Sequence, residues 1–515
     1  MSKQSRAITV EEILQQKIAS GLDKAYEVAK AAYGPMAGNV LLEQPYGDPL
    51  LSRDGVTNLK RLYLDDPVEN MAVRTLVQAS SQNNKKAGDG TTAVTILAYH
   101  LYKEARKLVA AGYNRMEVAK LLEEMSYDAI SQVQNLRKDV DPELLKKVCR
   151  VSASDTALGE MIAGIINEVG SEGGVTVENS SSIGILSEVV DGFYFKSGFA
   201  HLALASDPTN LVSNHTDVPI LLCEKPLNTV TDVAGILDKI ASKGIKELIL
   251  IGECGFEVLE MLVKNRLAGI ITVVPVKPPV HEGMRTLFMD DLALVTGGRV
   301  ISAGFNDSSF DTTMLGYAEK VVIDEFSTTI VGGDGATEDI AKRVYELKKQ
   351  FKEADNETTV SALRDRIGRL TGQVAIIRVG GATEMEQREK KLRVEDAICA
   401  GQAALKSGVV PGGGVALARV KTELFSHALK QPFLQLCSNA GLNGERLLGK
   451  VESAKEWYGF NLKDMTLKPL DMLVSGVVDP TLVVEEIIRN ATSVAVSLIT
   501  SSVGMTFVDR EGKMD

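Results

Sequence analysis

The chain has 515 residues, 44% hydrophobic and 24% charged, which is too long for one hydrophobic core and fits a globular chain of roughly two to four domains. Its net charge of −11 argues against a nucleic-acid binder, which needs a basic surface to neutralise phosphate. Five scattered cysteines without Cys-x-x-Cys spacing and five dispersed histidines argue against a disulfide framework and against zinc. No stretch approaches the roughly 18 apolar residues of a membrane span, and the first residues lack a signal core, so a soluble cytoplasmic protein is expected.

The first helical pattern follows Thr9, which with Glu12 has capping-box spacing; its apolar stripe is Ile13, Leu14, Ile18, Leu22, Ala25 and Ala29. The segment Ala87-Gly88-Asp89-Gly90-Thr91-Thr92-Ala93 then leads into a helix with Val94, Leu97, Ala98, Leu101, Ala105 and Leu108 on one face. Backbone N–H groups at such a helix start point outward and the helix dipole favours anions, so the segment suits phosphate. Asp89 is placed to hold magnesium, a hard cation that takes oxygen ligands. A capped helix after a glycine turn, with no ligand, fits the motif equally well.

Between about 190 and 373 the texture changes. Ile220–Cys223, Glu247–Gly252 and Ile270–Val276 are short β-branched or leucine-rich runs separated by helical patterns, and this alternation predicts an α/β domain. Helical pattern returns from Thr337 to about Leu370 with the Lys/Glu spacing of solvated faces. Near the C-terminus, Asp479-Pro480 predicts an N-cap followed by proline at the first helical position. The helix after it has a broad stripe: Val483, Val484, Ile487, Ile488, Ala491, Val494, Ala495, Leu498 and Ile499.

Helical patterns at both ends and α/β texture between them predict an insertion. A helical domain built from both ends is interrupted by an α/β domain, with two connectors at roughly 136–188 and 374–406. Gly192 and Gly372 sit near the crossings and are candidate hinges, although ordinary turn glycines read the same way.

Several segments resemble one family in order and spacing, the bacterial-type (group I, 60 kDa) chaperonins. They are Gly34-Pro35 with Asn39-Val40; Arg53-Asp54-Gly55-Val56; Glu69-Asn70-Met71; and Ala87 to Thr92. Gly381-Ala382-Thr383-Glu384, Glu389-Lys390-Lys391, Arg393 to Ala397, Gly408-Val409-Val410, Gly412 to Leu417 and Asp479-Pro480-Thr481 complete the set. Each piece alone is weak, and together they cover nearly the whole chain as a divergent member. The resemblance implies a multidomain α and α/β fold: a mainly helical equatorial ATP-binding domain at 1–135 and 407–515, a small α/β intermediate hinge domain at 136–188 and 374–406, and an inserted α/β apical client-binding domain at 189–373. It further implies an ATPase that assembles into a sevenfold ring, single or double, encloses non-native protein and works with a co-chaperonin lid.

By the same resemblance, Asp89 is the magnesium ligand and Gly90, Thr91 and Thr92 contact the phosphates. Tyr33, Gly34 and Pro35 form the facing loop, Asp54 lies near the attacking water, and Asp396 completes the site on closure. Phosphoryl transfer to water needs such a set of metal, donors and carboxylate. Gly413, Asn461 and Asp479 are matched to adenine and ribose contacts, and the region around Asn461, about 425–465, is shorter than usual for the family. Three positions depart from the pattern. Ala32 stands for a threonine at the phosphate and potassium-ion site, Arg53 for a lysine, and Ala93 for a third threonine. Backbone contacts survive such changes; each lost hydroxyl costs about 0.5–1.5 kcal/mol, so a slow ATPase is expected.

For client binding, the resemblance selects Phe199, Leu204, Leu237, Leu259 and Val263, on a groove between two helices. Buried core is the ordinary reading of such helical stripes. Ala203, Ala234 and Lys264 stand where the family carries larger or apolar side chains, which weakens the groove. An ATP-driven folding machine leads this reading. A chaperonin-derived holdase or scaffold with little or no hydrolysis is the alternative, and a small-molecule kinase is disfavoured because no GxxxxGK[ST] loop exists.

Overall fold

The computed structural model describes residues 6–43, 50–52, 55–153, 155–170, 173–180, 182–206, 211–279, 282–302, 310–353, 357–463 and 468–507. The chain divides into two compact units, one formed by Met1–Gly164 with Arg393–Asp515 and the other by Ile165–Leu392. An inserted α/β body within a helical one is therefore what the chain folds into.

The first unit is built around the helix Thr481–Thr500, which packs on the helices Pro67–Ala87, Thr91–Ala110 and Arg115–Asn135. Its whole expected stripe is buried, with Ile488, Ala491 and Ala495 fully enclosed. The helix Glu11–Ala31 adds Leu14, Ile18, Leu22 and Ala25 to the same core, whereas Ile13 is exposed. Sequence-distant segments thus share one apolar interior, which is the main force holding this unit together.

The expected capping box at Thr9 and Glu12 does not form. Residues Arg6–Val10 are a strand, paired antiparallel with Val503–Phe507, so Thr9 faces Gly504 and Val10 precedes the helix without a side-chain cap. Pairing two strands satisfies more backbone groups than one cap would. One face of this ribbon packs inward through Thr506 and Gly504, the latter against Leu14. The other carries Ile8, Val10, Val503, Met505 and Phe507, each about half or more exposed. A second ribbon, Val40–Leu42 with Leu50–Ser52, likewise exposes the facing pair Leu41 and Leu51.

The second unit is centred on a mixed sheet. Its strand order is Gly174–Asn179, Gln373–Gly380, Gly184–Phe195, Thr328–Gly333, Gly316–Ile323, Ser213–Cys223, Glu247–Ile251 and Thr272–Val276, with Val300–Ile301 also beside Ser213–Cys223. The run from Ser213–Cys223 through Thr272–Val276 is parallel and covered on both faces, hence its unbroken apolar character. Ile249 and Ile251 pack with Phe193, Phe288 and Leu292 on one face; Leu248 and Leu250 pack with Ile236, Ile240 and Leu262 on the other. A buried bidentate pair, Arg366 to Asp291 at 2.7 Å, ties the helices Glu357–Leu370 and Glu282–Thr296. Gly192 is inside a strand, opposite Val331, and a Cβ there would lie 2.8 Å from the Ile330 carbonyl. Close packing against its neighbour strand accounts for a glycine at this position.

Candidate functional site

The loop at Gly88–Gly90 is made by two helix ends meeting. The helix Pro67–Ala87 starts with Asp66, whose carboxylate accepts from the N–H groups of Val68 and Glu69, and stops at Gly88 in a left-handed conformation, φ +73°. The next helix starts at Thr91 after Gly90, also left-handed at φ +80°. Only glycine adopts this conformation without steric cost. Asp89 lies between the two, exposed, and its Oδ1 accepts the Gly90 N–H at 2.5 Å.

Polar side chains of the first unit fix this loop from behind. Asn83, fully buried, donates to the Asp89 carbonyl and accepts from Asn490 at 3.1 Å. Asn490 also donates to Glu486, a buried carboxylate paired with Lys86 at 3.2 Å and Arg489 at 3.3 Å. Ser80 donates to the Thr91 carbonyl at 3.2 Å. A Cβ on Gly90 would meet Ile487 at 2.7 Å and Val483 at 2.9 Å. Sequence reasoning missed Asn83, Asn490 and Glu486. Nothing local marks them out, because each acts on a group brought to it by the fold.

Three more segments of this unit come to the same neighbourhood. The turn after the helix Glu11–Ala31 carries buried Ala32, half-buried Tyr33 and exposed Gly34 and Pro35. Asn439 holds this turn by donating to the carbonyls of Lys30 and Tyr33, both at 2.7 Å, while Gln435 and Tyr26 extend the chain of bonds. Burial first, then the carboxylates of Asp479 and Asp89, hold the Tyr33 phenol well above its ordinary pKa, so the two charges lie within electrostatic reach of the ring. Asp479 does not cap the last helix, which begins at Thr481 after Pro480. It sits instead in the short strand Val478–Pro480, opposite Val410, because that pairing takes its backbone. Enclosure by the protein and then the Asp89 charge push Asp479 up to about 7, against a bond from the Gly413 N–H.

Gly413, at φ +61°, has open space where a Cβ would project, apart from Val477 at 3.9 Å. Asn461 follows the segment Tyr458–Gly459, which packs on Val415 and Met472, and it accepts from the Lys463 N–H at 3.1 Å. Ala93 is buried in the main core, so its methyl takes a place among apolar groups while its backbone stays at the helix start.

Arg53 and Asp54 lie outside the described residues. The next residue, Gly55, is buried and comes so close to Thr92 that a Cβ would overlap its hydroxyl. Asp396 is exposed on the helix Glu384–Ser407. One turn further on the same face, Cys399 touches Gly88.

The donor set fits a hard divalent cation. One exposed carboxylate, Asp89, beside helix-start N–H groups suits magnesium completed by phosphate oxygens and water, which is how that ion is usually held. Among the described residues no group of three or more His, Cys, Asp or Glu side chains could hold a metal by themselves. Burial is the main reason Asp479 is raised and the Asp89 charge adds to it; a cation between the two carboxylates would relieve that second contribution.

In the second unit, the five expected client residues separate. Leu204 and Leu237 are 1% and 4% exposed; they belong to the core beneath the helices, where apolar contacts outweigh exposure to water, and present nothing to a partner. Phe199, Leu259 and Val263 are half-buried. The helix Phe256–Leu267 instead exposes Phe256 at 74% and Leu267 at 83%, with Ile270 following at 60%. Phe256 escaped the sequence reading because it opens the helix, before the stripe becomes periodic. Lys264 is exposed beside Glu260.

The unit arrangement and the glycine-bounded loop define a chaperonin fold. Residues 26–503 match the model of the TCP-1/cpn60 chaperonin family, and the chain belongs to that family. Its fold is similar to that of the chaperonin gp146 from bacteriophage EL 2 (Pseudomonas aeruginosa), crystallised in the presence of ATP-BeFx. Crystal form II gives a TM-score of 0.71 at 17% identity, covering 96% of this chain and 98% of that one. Crystal form I gives 0.60 at 18% identity over the same shares. Family members are in general ATPases. Among the described residues no helix is long and apolar enough to cross a membrane.

Proposed function

We propose that this chain is an ATP-hydrolysing chaperonin that binds non-native proteins and promotes their folding in a ring of its own copies. The observation that carries this reading is the meeting, within one unit, of the Gly88–Gly90 loop, the Tyr33 turn, Asp479 with Gly413, and the helix bearing Asp396. Asp89 would hold magnesium, which when bound offsets phosphate charge and orients the triphosphate. Gly90, Thr91 and Thr92 present N–H groups and hydroxyls to the phosphates. Gly413, Asn461 and Asp479 receive the base and ribose, Asp54 orients the attacking water, and Asp396 completes that task as the intermediate domain closes. The three-domain division, with hinge segments 136–188 and 374–406, belongs to this proposal, as do a potassium ion near Ala32, a lid partner and a cytoplasmic location.

Ring assembly is supported by the two ribbons of the first unit, whose exposed apolar faces are unusual on a solitary soluble chain. Client binding is supported by the exposed Phe256 and Leu267. Purified protein should release phosphate from ATP, and Asp396→Ala should abolish release while fluorescent ADP still binds. Wild type that binds nucleotide yet releases no phosphate would overturn hydrolysis. That outcome would favour a holdase or scaffold, the reading that the missing hydroxyls at Ala32 and Ala93 and the charge at Lys264 support.

A further inference from the structure

The contact between Cys399 and Gly88 lies outside every role assigned so far. A Cβ built on Gly88 would lie 2.3 Å from the Cys399 Cβ, 2.8 Å from its Sγ and 3.3 Å from its Cα. The Cβ and Cα are fixed to the helix backbone, so rotating the Sγ aside would not remove the collision. The helix Glu384–Ser407 and the loop therefore meet closely at this point, and a side chain on residue 88 would collide with the helix.

Which partner yields to a larger group is decided by how each is held. The loop is fixed by the Asn83 bond to the Asp89 carbonyl, by Ser80 on the Thr91 carbonyl, by Gly88 N–H on the Asn84 carbonyl at 2.9 Å, and by Val483 and Ile487 behind Gly90. The helix must move. Asp396 sits one turn from Cys399 on the same face, so any displacement at 399 is carried to that carboxylate almost undiminished.

We propose that Cys399 is a positioning residue: its small side chain, seated on Gly88, sets how near Asp396 comes to the phosphate loop. This rests on the ATPase reading above. A shift of about 1 Å at a reacting group costs on the order of a hundredfold in rate, while groups that hold the nucleotide stay where they are. The expected signature is a fall in kcat without a matching loss of affinity.

The test compares wild type with Cys399→Ser, Cys399→Leu, Gly88→Ala and the double variant Gly88→Ala/Cys399→Gly. Phosphate release gives kcat and KM, and titration with fluorescent ADP gives Kd. Trp457, the chain's single tryptophan, reports the helix directly, because it packs in one cluster with Ala400 and Ala404 under the Lys138 ammonium. Cys399→Ser should match wild type. Cys399→Leu should lose tenfold or more in kcat with Kd within twofold and shift Trp457 emission, whereas Gly88→Ala, which also strains the left-handed loop itself, should lose rate and some ADP affinity together. The double variant should recover part of the rate that Gly88→Ala loses.

A Leu variant turning over within twofold of wild type overturns the proposal, as does a loss of rate in that variant matched by an equal loss of ADP affinity. If wild type releases no phosphate, the ATPase reading is what fails. Emission then decides the seat alone, and identical Trp457 spectra for wild type and Cys399→Leu overturn it.

Discussion

Replacing Gly90 by alanine probes the loop on terms the structure fixes in advance. Gly90 is left-handed at φ +80°, and an alanine there carries about 1–2 kcal/mol of backbone strain. The new Cβ would lie 2.7 Å from Ile487 Cδ1, 3.0 Å from its Cγ1 and 2.9 Å from Val483 Cγ1, and overpacking of this kind costs about 1–3 kcal/mol. Together the loss is about 2–5 kcal/mol. The two parts separate in a double-mutant cycle, because Ile487→Val removes the nearest atom and alone costs about 0.5–1.5 kcal/mol. In Gly90→Ala/Ile487→Val the losses should fall short of additive by about 1 kcal/mol, leaving the backbone strain and the Val483 contact. Urea unfolding followed by Trp457 fluorescence reads this, since that residue lies in the same unit. Strict additivity, or a Gly90→Ala loss below about 0.5 kcal/mol, would refute the reasoning.

Burial, helped by Lys103, His427 and Lys107, depresses His100 to about 4. Its stabilising effect is thus complete above the unfolded value of about 6.5 and drains away as pH falls through 4, by about 2–3 kcal/mol after allowing for partial exposure. His100→Phe keeps the edge-on packing against Tyr26 and Tyr99 and should flatten stability between pH 6.5 and 4; an unchanged acid limb in urea titrations would contradict this. Phe256→Ser with Leu267→Ser should lower capture of an unfolded client several-fold with unfolding free energy within about 0.5 kcal/mol, since both are exposed. Unaltered capture would move the client surface elsewhere.

Much of the fold was legible because its signals are local. The stripe from Val483 to Ile499 needs only helical periodicity, and the runs around Leu221, Leu250 and Val274 need only strand composition. The strands Gly174–Asn179, Gly184–Phe195 and Gln373–Gly380 were not legible. Their partners are nearly two hundred positions away, and pairing rather than composition makes them strands. At the site, the loop glycines announce themselves because left-handed turns demand them. Asn83, Asn439 and Cys399 do not, because what matters is the backbone each meets in space. Thr9 and Asp479 failed as caps for the same reason: a distant strand claimed their backbone first.

The assembly of the first unit from both ends of the chain bears on how this protein is made. The helices Pro67–Ala87, Thr91–Ala110 and Arg115–Asn135 bury their apolar faces against Thr481–Thr500, which is synthesised several hundred residues after them. At roughly 5–20 residues per second, those faces wait about 20–70 s for their partner, with the entire inserted unit folding meanwhile. During that interval the nascent chain carries apolar helix faces without their native partner, the condition under which protection from aggregation matters most.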